Sequence, residues 1–127
     1  MTGAMPHLIL EYSANLAAPD LPALFAGLHE ALATLGIALD DCKSRAYRSD
    51  AYRVGTGAPE RAFAHLTLAL LDRRPLETQR TAGELALQRL QDAFAGTALD
   101  CDLTVEVREM RGAGYFKARQ SRAAPGI

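Results

Sequence analysis

A strict two-residue alternation runs through residues 99–107. Leu99, Cys101, Leu103, Val105 and Val107 fall on one side, and Asp100, Asp102, Thr104 and Glu106 on the other. Successive strand side chains point to opposite faces, so this spacing predicts a β-strand with one apolar face. Residues 7–12 predict a second strand, with Leu8, Leu10 and Tyr12 sharing a face, and residues 62–71 a third, with Ala64, Leu66, Leu68 and Leu70 together. Elsewhere the period is helical. Leu21, Leu24, Phe25, Leu28, Leu32 and Leu35 follow Asp20, a good N-cap, and Pro22 in the first turn, and Gly36 ends the run. A second helix opens after Asp72 to Pro75. Its stripe is Leu76, Gly83, Leu87, Leu90 and Phe94, widened by Ala86 and Ala93, and Gly96 closes it. Residues 42–54 hold β-formers with little alternation and predict a strand with one polar face, before a turn cluster from Gly55 to Pro59. Tyr115 and Phe116 predict a short extra strand.

The order is β-α-β twice over. Strand-helix-strand crossovers favour parallel pairing within each half, so the expected class is α+β: one four-stranded sheet with both helices on one face. The other strand faces carry Ile9, Phe63, His65 and Ala69. That is apolar enough to meet another subunit, and an oligomer is expected.

Composition narrows the function. The chain of 127 residues has the length of one domain, is 49% apolar and 23% charged, and carries a net charge of −1. No global field draws it to nucleic acid or an anionic membrane. The longest apolar run, Leu66 to Leu71, is broken by Thr67 and is far short of a membrane span. The start MTGAMPH has no basic region followed by an apolar core, which points to a cytoplasmic protein. Cys42 and Cys101 lack C-x-x-C spacing and read as reduced, half-buried thiols. Neither nucleotide-binding glycine motif is present, and His7, His29 and His65 lack metal-ligand spacing, so no cofactor and no metal are expected. What remains is positive charge at element ends. Lys43 and Arg45 share a strand face, and Arg73 and Arg74 precede the second helix, whose start has a positive dipole end. These are either solvated surface charges or a site for a carboxylate-rich ligand.

The stretches MPHLILEYSANL, DLPALF, LGIALDDCKSR and AFAHLTLALLDRRPLETQRTAGE make the choice sharper. A PH-(apolar)₃-E run leads into an S-x-N turn, and RxLExxxxAGE opens the second helix. In these the chain resembles the 5-carboxymethyl-2-hydroxymuconate Δ-isomerases of the tautomerase superfamily, from Pro6 to about Lys117. The resemblance implies a tautomerase-like fold, a homotrimer and a cofactor-independent isomerase of aromatic-acid catabolism. Such an enzyme shifts a double bond in an unsaturated 2-hydroxy or 2-oxo polycarboxylate, with an N-terminal proline as base and then acid. It maps the catalytic proline onto Pro6 and substrate binding onto Lys43, Arg45 and Arg74; Phe116 reads either as a substrate-binding residue of a site shared with a neighbouring subunit or as a hydrophobic plug for a strand edge. Lys43 stands where the family has arginine, keeping the charge and losing the bidentate fork. A different keto–enol substrate, or a non-enzymatic ligand-binding oligomer, is the alternative.

The expected organisation is an N-terminal extension over residues 1–5, an isomerase domain over 6–118 and a C-terminal tail over 119–127. Pro6 is internal in this sequence, preceded by Met-Thr-Gly-Ala-Met. An internal proline nitrogen is an amide and cannot act as a base. Either translation begins at Met5 and methionine removal exposes Pro6, or the extension stays and the site is altered. Removal of Met1 alone would leave Thr2 as the terminal amine.

Overall fold

The computed structural model describes residues 4–122. Its elements are β1 (His7–Ser13), α1 (Leu21–Ala33), β2 (Lys43–Ser49), β3 (Arg61–Leu71), α2 (Leu76–Ala93) and β4 (Asp100–Met110), with 3-10 turns at Leu39–Asp41 and Gly112–Gly114. The sheet order is β2-β1-β3-β4. β1 and β2 run parallel, as do β3 and β4, and the halves join through the antiparallel β1–β3 pair. The double β-α-β reading and its parallel pairing are therefore observed.

The apolar positions select the packed face. Leu8, Leu10 and Tyr12 of β1 and Ala62, Ala64, Leu66, Leu68 and Leu70 of β3 are buried together with Leu24, Leu28 and Leu32 of α1 and Ala82, Ala86, Leu90 and Phe94 of α2. Both helices thus cover one face of the sheet. The Asp20 carboxylate accepts from the Ala23 N–H at 3.1 Å and caps α1, and Gly36 takes a φ of +83° just beyond that helix, a conformation glycine adopts at little cost. The S-x-N turn after β1 clamps the two halves. Ser13 Oγ accepts from the Phe63 N–H at 3.0 Å, and the Asn15 amide donates to the Arg61 carbonyl at 2.8 Å.

Three expectations differ from what is observed. β2 ends at Ser49 rather than continuing to residue 54, because Ser49 lies opposite Ser13, where β1 itself ends and the ladder loses its partner. The buried stripe of α2 is Gln79, Ala82, Ala86 and Leu90, whereas Leu76 is 78% exposed. Small side chains let α2 approach the sheet: a Cβ on Gly83 would lie 3.2 Å from Val107 Cγ2. Tyr115 and Phe116 belong to no strand; the chain leaves β4 through the turn at Gly112–Gly114 and Tyr115 is engaged by its side chain instead. Of the expected extension and tail, residues 1–3, Thr2 included, and 123–127 lie outside the described residues.

The sheet face away from the helices is charged unevenly. At the β1 start, Lys43 and Arg45 of the edge strand β2 lie beside His7 and Ile9. At the diagonally opposite corner, Asp100 and Asp102 of the other edge strand lie beside Arg61 and Phe63, with Arg61 paired to Asp102 at 3.0 Å. Between them His65 Nδ1 meets Thr104 Oγ1 at 2.7 Å, and its Nε2 lies 3.6 Å from Glu106.

Candidate active site

The starts of β1 and β2 and the ends of β3 and β4 converge at one end of the sheet, as the registers His7 to Lys43, His7 to Ala69 and Leu71 to Met110 require. Residues 4–6 continue β1 into this corner. The Lys43 N–H donates to the Pro6 carbonyl at 3.2 Å and the Leu71 N–H to the Ala4 carbonyl at 3.0 Å. Ala4 and Met5 are 2% and 3% exposed, and Pro6 is fully buried. Met5 has a φ of +48°, a strained value for a residue with a side chain.

Against this segment lies a cavity of about 210 Å³, lined by Met5, Leu71, Arg73, Gly112, Tyr115 and Lys117. Two turns form its rim. The turn after β3 brings Arg73, and the turn after β4 brings Tyr115 and Lys117. They are tied where the Gly112 N–H donates to the Asp72 carboxylate at 3.3 Å and the Asp72 N–H to the Met110 carbonyl at 2.9 Å. Arg74 is half-buried beside this rim and is not one of the residues lining the cavity. Its carbonyl accepts from the Gln79 side-chain amide at 3.0 Å, and the same amide nitrogen reaches Glu109 Oε2 at 2.7 Å. Phe116 is 88% exposed.

Beside the cavity, His7 joins two candidate regions. Arg45 approaches His7 Nδ1 at 3.2 Å, and Tyr115 Oη lies 3.0 Å from Nε2. Burial first, then the charges of Arg45 and Lys43, hold the His7 imidazole below its ordinary pKa, so the ring is neutral at pH 7. Lys43 is exposed, and its ammonium donates to the Asp41 carbonyl at 3.0 Å. Cys42 and Cys101 are free and half-buried, and burial raises both thiols, which keeps them protonated and poor nucleophiles. Among the described residues no cluster of His, Cys, Asp or Glu could hold a metal, and no helix is long and apolar enough to cross a membrane.

The arrangement therefore offers a small cavity walled by Met5, the residue before Pro6, and ringed by Arg73, Lys117 and, through His7 and Tyr115, Arg45. Such cations suit carboxylates and an oxygen that gains negative charge. Sequence reasoning named four cations by their element ends: Arg73 lines the cavity, Arg45 reaches its rim through His7, Arg74 lies beside it, and Lys43 donates to the Asp41 carbonyl instead. It missed Tyr115 and Lys117 as cavity residues and Gln79 as the tie beneath Arg74. The only signal for Tyr115 was its place after the last strand, where a returning segment can reach the β1 start.

Comparison with known proteins identifies the family. The 5-carboxymethyl-2-hydroxymuconate isomerase family model matches residues 6–124. The chain is 32% identical over 123 residues to an Escherichia coli 5-carboxymethyl-2-hydroxymuconate Delta-isomerase, covering 94% of this chain and 98% of that protein. It superposes with a TM-score of 0.85 on a 5-carboxymethyl-2-hydroxymuconate isomerase from Deinococcus radiodurans R1, at 31% identity over 92% of this chain and 91% of the other. A fused 4-OT symmetric trimer shares the fold alone, with a TM-score of 0.70 at 16% identity over 88% of this chain and 91% of the other. The two-helix, four-stranded α+β architecture is that of the tautomerases, and the chain belongs to the 5-carboxymethyl-2-hydroxymuconate isomerase family, a family of enzymes.

Proposed function

We propose that this protein is a cytoplasmic, homotrimeric, cofactor-independent isomerase acting on 5-carboxymethyl-2-hydroxymuconate or a close unsaturated 2-hydroxy polycarboxylate of aromatic-acid breakdown. Pro6 serves as its base once it is the first residue. The observation that carries the reading is a coincidence of position: the family match begins at Pro6, and Met5, the residue that acylates the Pro6 nitrogen, walls the cation-lined cavity. Loss of Met5 frees the nitrogen as an amine and enlarges a cavity that is small beside ordinary ligand sites, which run from about 300 Å³ upward.

The chemistry follows from the residues at that corner. A free α-amino group titrates near about 7.7–8.0, and neighbouring cations favour its neutral form. The neutral amine takes a proton from one end of the conjugated enol or keto system and returns it at the other. The double bond shifts, and no atom is gained or lost. Arg73 and Lys117 hold one carboxylate and oppose the charge that builds on the dienolate. Lys43 and Arg45 orient the 2-oxo carboxylate end; Lys43 supplies charge without the bidentate fork. Arg74 takes part from the rim, and Phe116 covers the mouth at a subunit contact. The apolar positions Ile9, Phe63 and Ala69 on the open sheet face support association of subunits.

The test compares a chain beginning at Pro6 with one carrying residues 1–5. The mass of each is verified, and loss of dienol absorbance from 5-carboxymethyl-2-hydroxymuconate is followed. Turnover confined to the Pro6-start chain supports the proline base. Equal turnover removes Pro6 from that role, and a Pro6-start chain that is inert refutes the substrate assignment.

A further inference from the structure

Arginine side chains only donate hydrogen bonds. The 3.2 Å contact from Arg45 to His7 Nδ1 therefore requires an unprotonated Nδ1 with its lone pair toward the guanidinium. A neutral imidazole then carries its proton on Nε2, and that N–H donates to Tyr115 Oη at 3.0 Å. The phenol oxygen is the acceptor in this bond, so its own proton must point elsewhere. Among the described residues no second acceptor takes it. Tyr115 lines the cavity with Met5, Arg73 and Lys117, and the rings of His7 and Tyr115 meet edge to face at a centroid distance of 6.1 Å, which fixes the phenol's approach. The polarity of three side chains from β2, β1 and the segment after β4 is set by one fact, that a guanidinium cannot accept.

We propose that Arg45, His7 and Tyr115 form a one-way hydrogen-bond relay that presents the Tyr115 O–H as a donor to the substrate's C2 oxygen, which carries negative charge in the dienolate formed between loss of one proton and delivery to the far carbon. Tyr115 is then a catalytic residue, touching the 2-oxo oxygen; His7 and Arg45 act on it as positioning residues, beyond any carboxylate that Arg45 also holds. A phenol donor is neutral, so it adds to Arg73 and Lys117 without a further charge to desolvate. This rests on the isomerase reading above, and its tests are chosen to separate the two.

Two measurements on the Pro6-start chain decide it. Nitrogen-15 NMR of the imidazoles at pH 7.5 is expected to show His7 as the Nε2–H tautomer; an Nδ1–H tautomer or an imidazolium overturns the relay whether or not the chain turns over. Tyr115→Phe, which keeps the ring and deletes the donor, is expected to lower kcat by about 100-fold with KM changed less than about threefold, the behaviour of a lost oxyanion donor. It is also expected to weaken binding of oxalate, which carries the paired oxygens of a 2-oxo carboxylate, by at least about fivefold in calorimetry. Unchanged kcat in an active chain overturns the role of Tyr115. Oxalate binding equally to both proteins, or to neither, overturns it where turnover is absent, while an inert parent that binds oxalate through Tyr115 keeps the donor and fails only the substrate.

Discussion

Gln79 is the most informative residue to perturb outside the cavity. It is 9% exposed, and its amide nitrogen joins the Arg74 carbonyl at 3.0 Å to the Glu109 carboxylate at 2.7 Å. It therefore pins the turn that carries Arg73 and Arg74 to the end of β4. Gln79→Met keeps the volume and deletes both bonds. The neutral amide–carbonyl bond is worth about 1 kcal/mol. Glu109 is exposed and can return to water, so its bond counts for about 0.5 kcal/mol. Together these give a loss of about 1.5 kcal/mol. At 127 residues the unfolding entropy near the midpoint is about 0.27 kcal/mol per kelvin, which turns this loss into a fall of about 5–6 °C in Tm. Calorimetry at one fixed protomer concentration measures it, because assembly makes Tm concentration-dependent. A freer turn presents Arg73 less steadily, so KM is expected to rise more than kcat falls. A variant melting within about 1 °C of the parent, with unchanged KM, refutes the argument that this amide holds the turn.

The two arginines of that turn separate by position. Arg73 lines the cavity and Arg74 does not, so Arg73→Ala is expected to cost about 10- to 100-fold in kcat/KM, the scale of one charge-assisted contact, and Arg74→Ala less; the reverse order, read by steady-state kinetics, returns the role to Arg74. Stability should also fall in mild acid. His7, facing Arg45, Lys43 and Tyr115, and His29, whose Nε2 lies 2.6 Å from Ser44 Oγ, are both held below 6.5 in the folded state. As pH drops through about 6.5 the unfolded chain takes up these protons first, so the native state loses stability until the folded values are passed. Melting curves from pH 7.5 to 5 should decline, and His7→Asn with His29→Asn should flatten the decline; an unaltered slope refutes the assignment.

The fold was legible where one period dominates. β4 alternates cleanly, β3 alternates over its first half before its continuous apolar run, and the Asp20 cap and Gly36 bound α1 as read. The errors share a cause: pattern records which side chains avoid water, and packing adds which fit. Leu76 and Leu87 looked like the inner face of α2, but close approach to Val107 favours Gly83, Ala82 and Ala86 there, with Gln79 buried because its amide is satisfied. Tyr52 and Val54 are good β-formers without a neighbouring strand to pair with. Lys43 and Arg45 were legible as neighbours on one strand face because residues two apart on a strand point the same way. The His7–Tyr115 contact joins residues 108 positions apart, and no local spacing encodes it.

The diagonal placement of charge on the open face has a kinetic meaning. Lys43 and Arg45 at one corner and, at the other, Asp100 beside the ion-paired Arg61 and Asp102 give a nearly neutral molecule a dipole across that face. A polycarboxylate approaching from solvent is turned toward the β1 start and repelled from the far edge before it makes any contact. The gain lies in encounter frequency, so it should fade as added salt shortens the reach of these fields to about 10 Å at 0.1 M, leaving the events inside the cavity untouched.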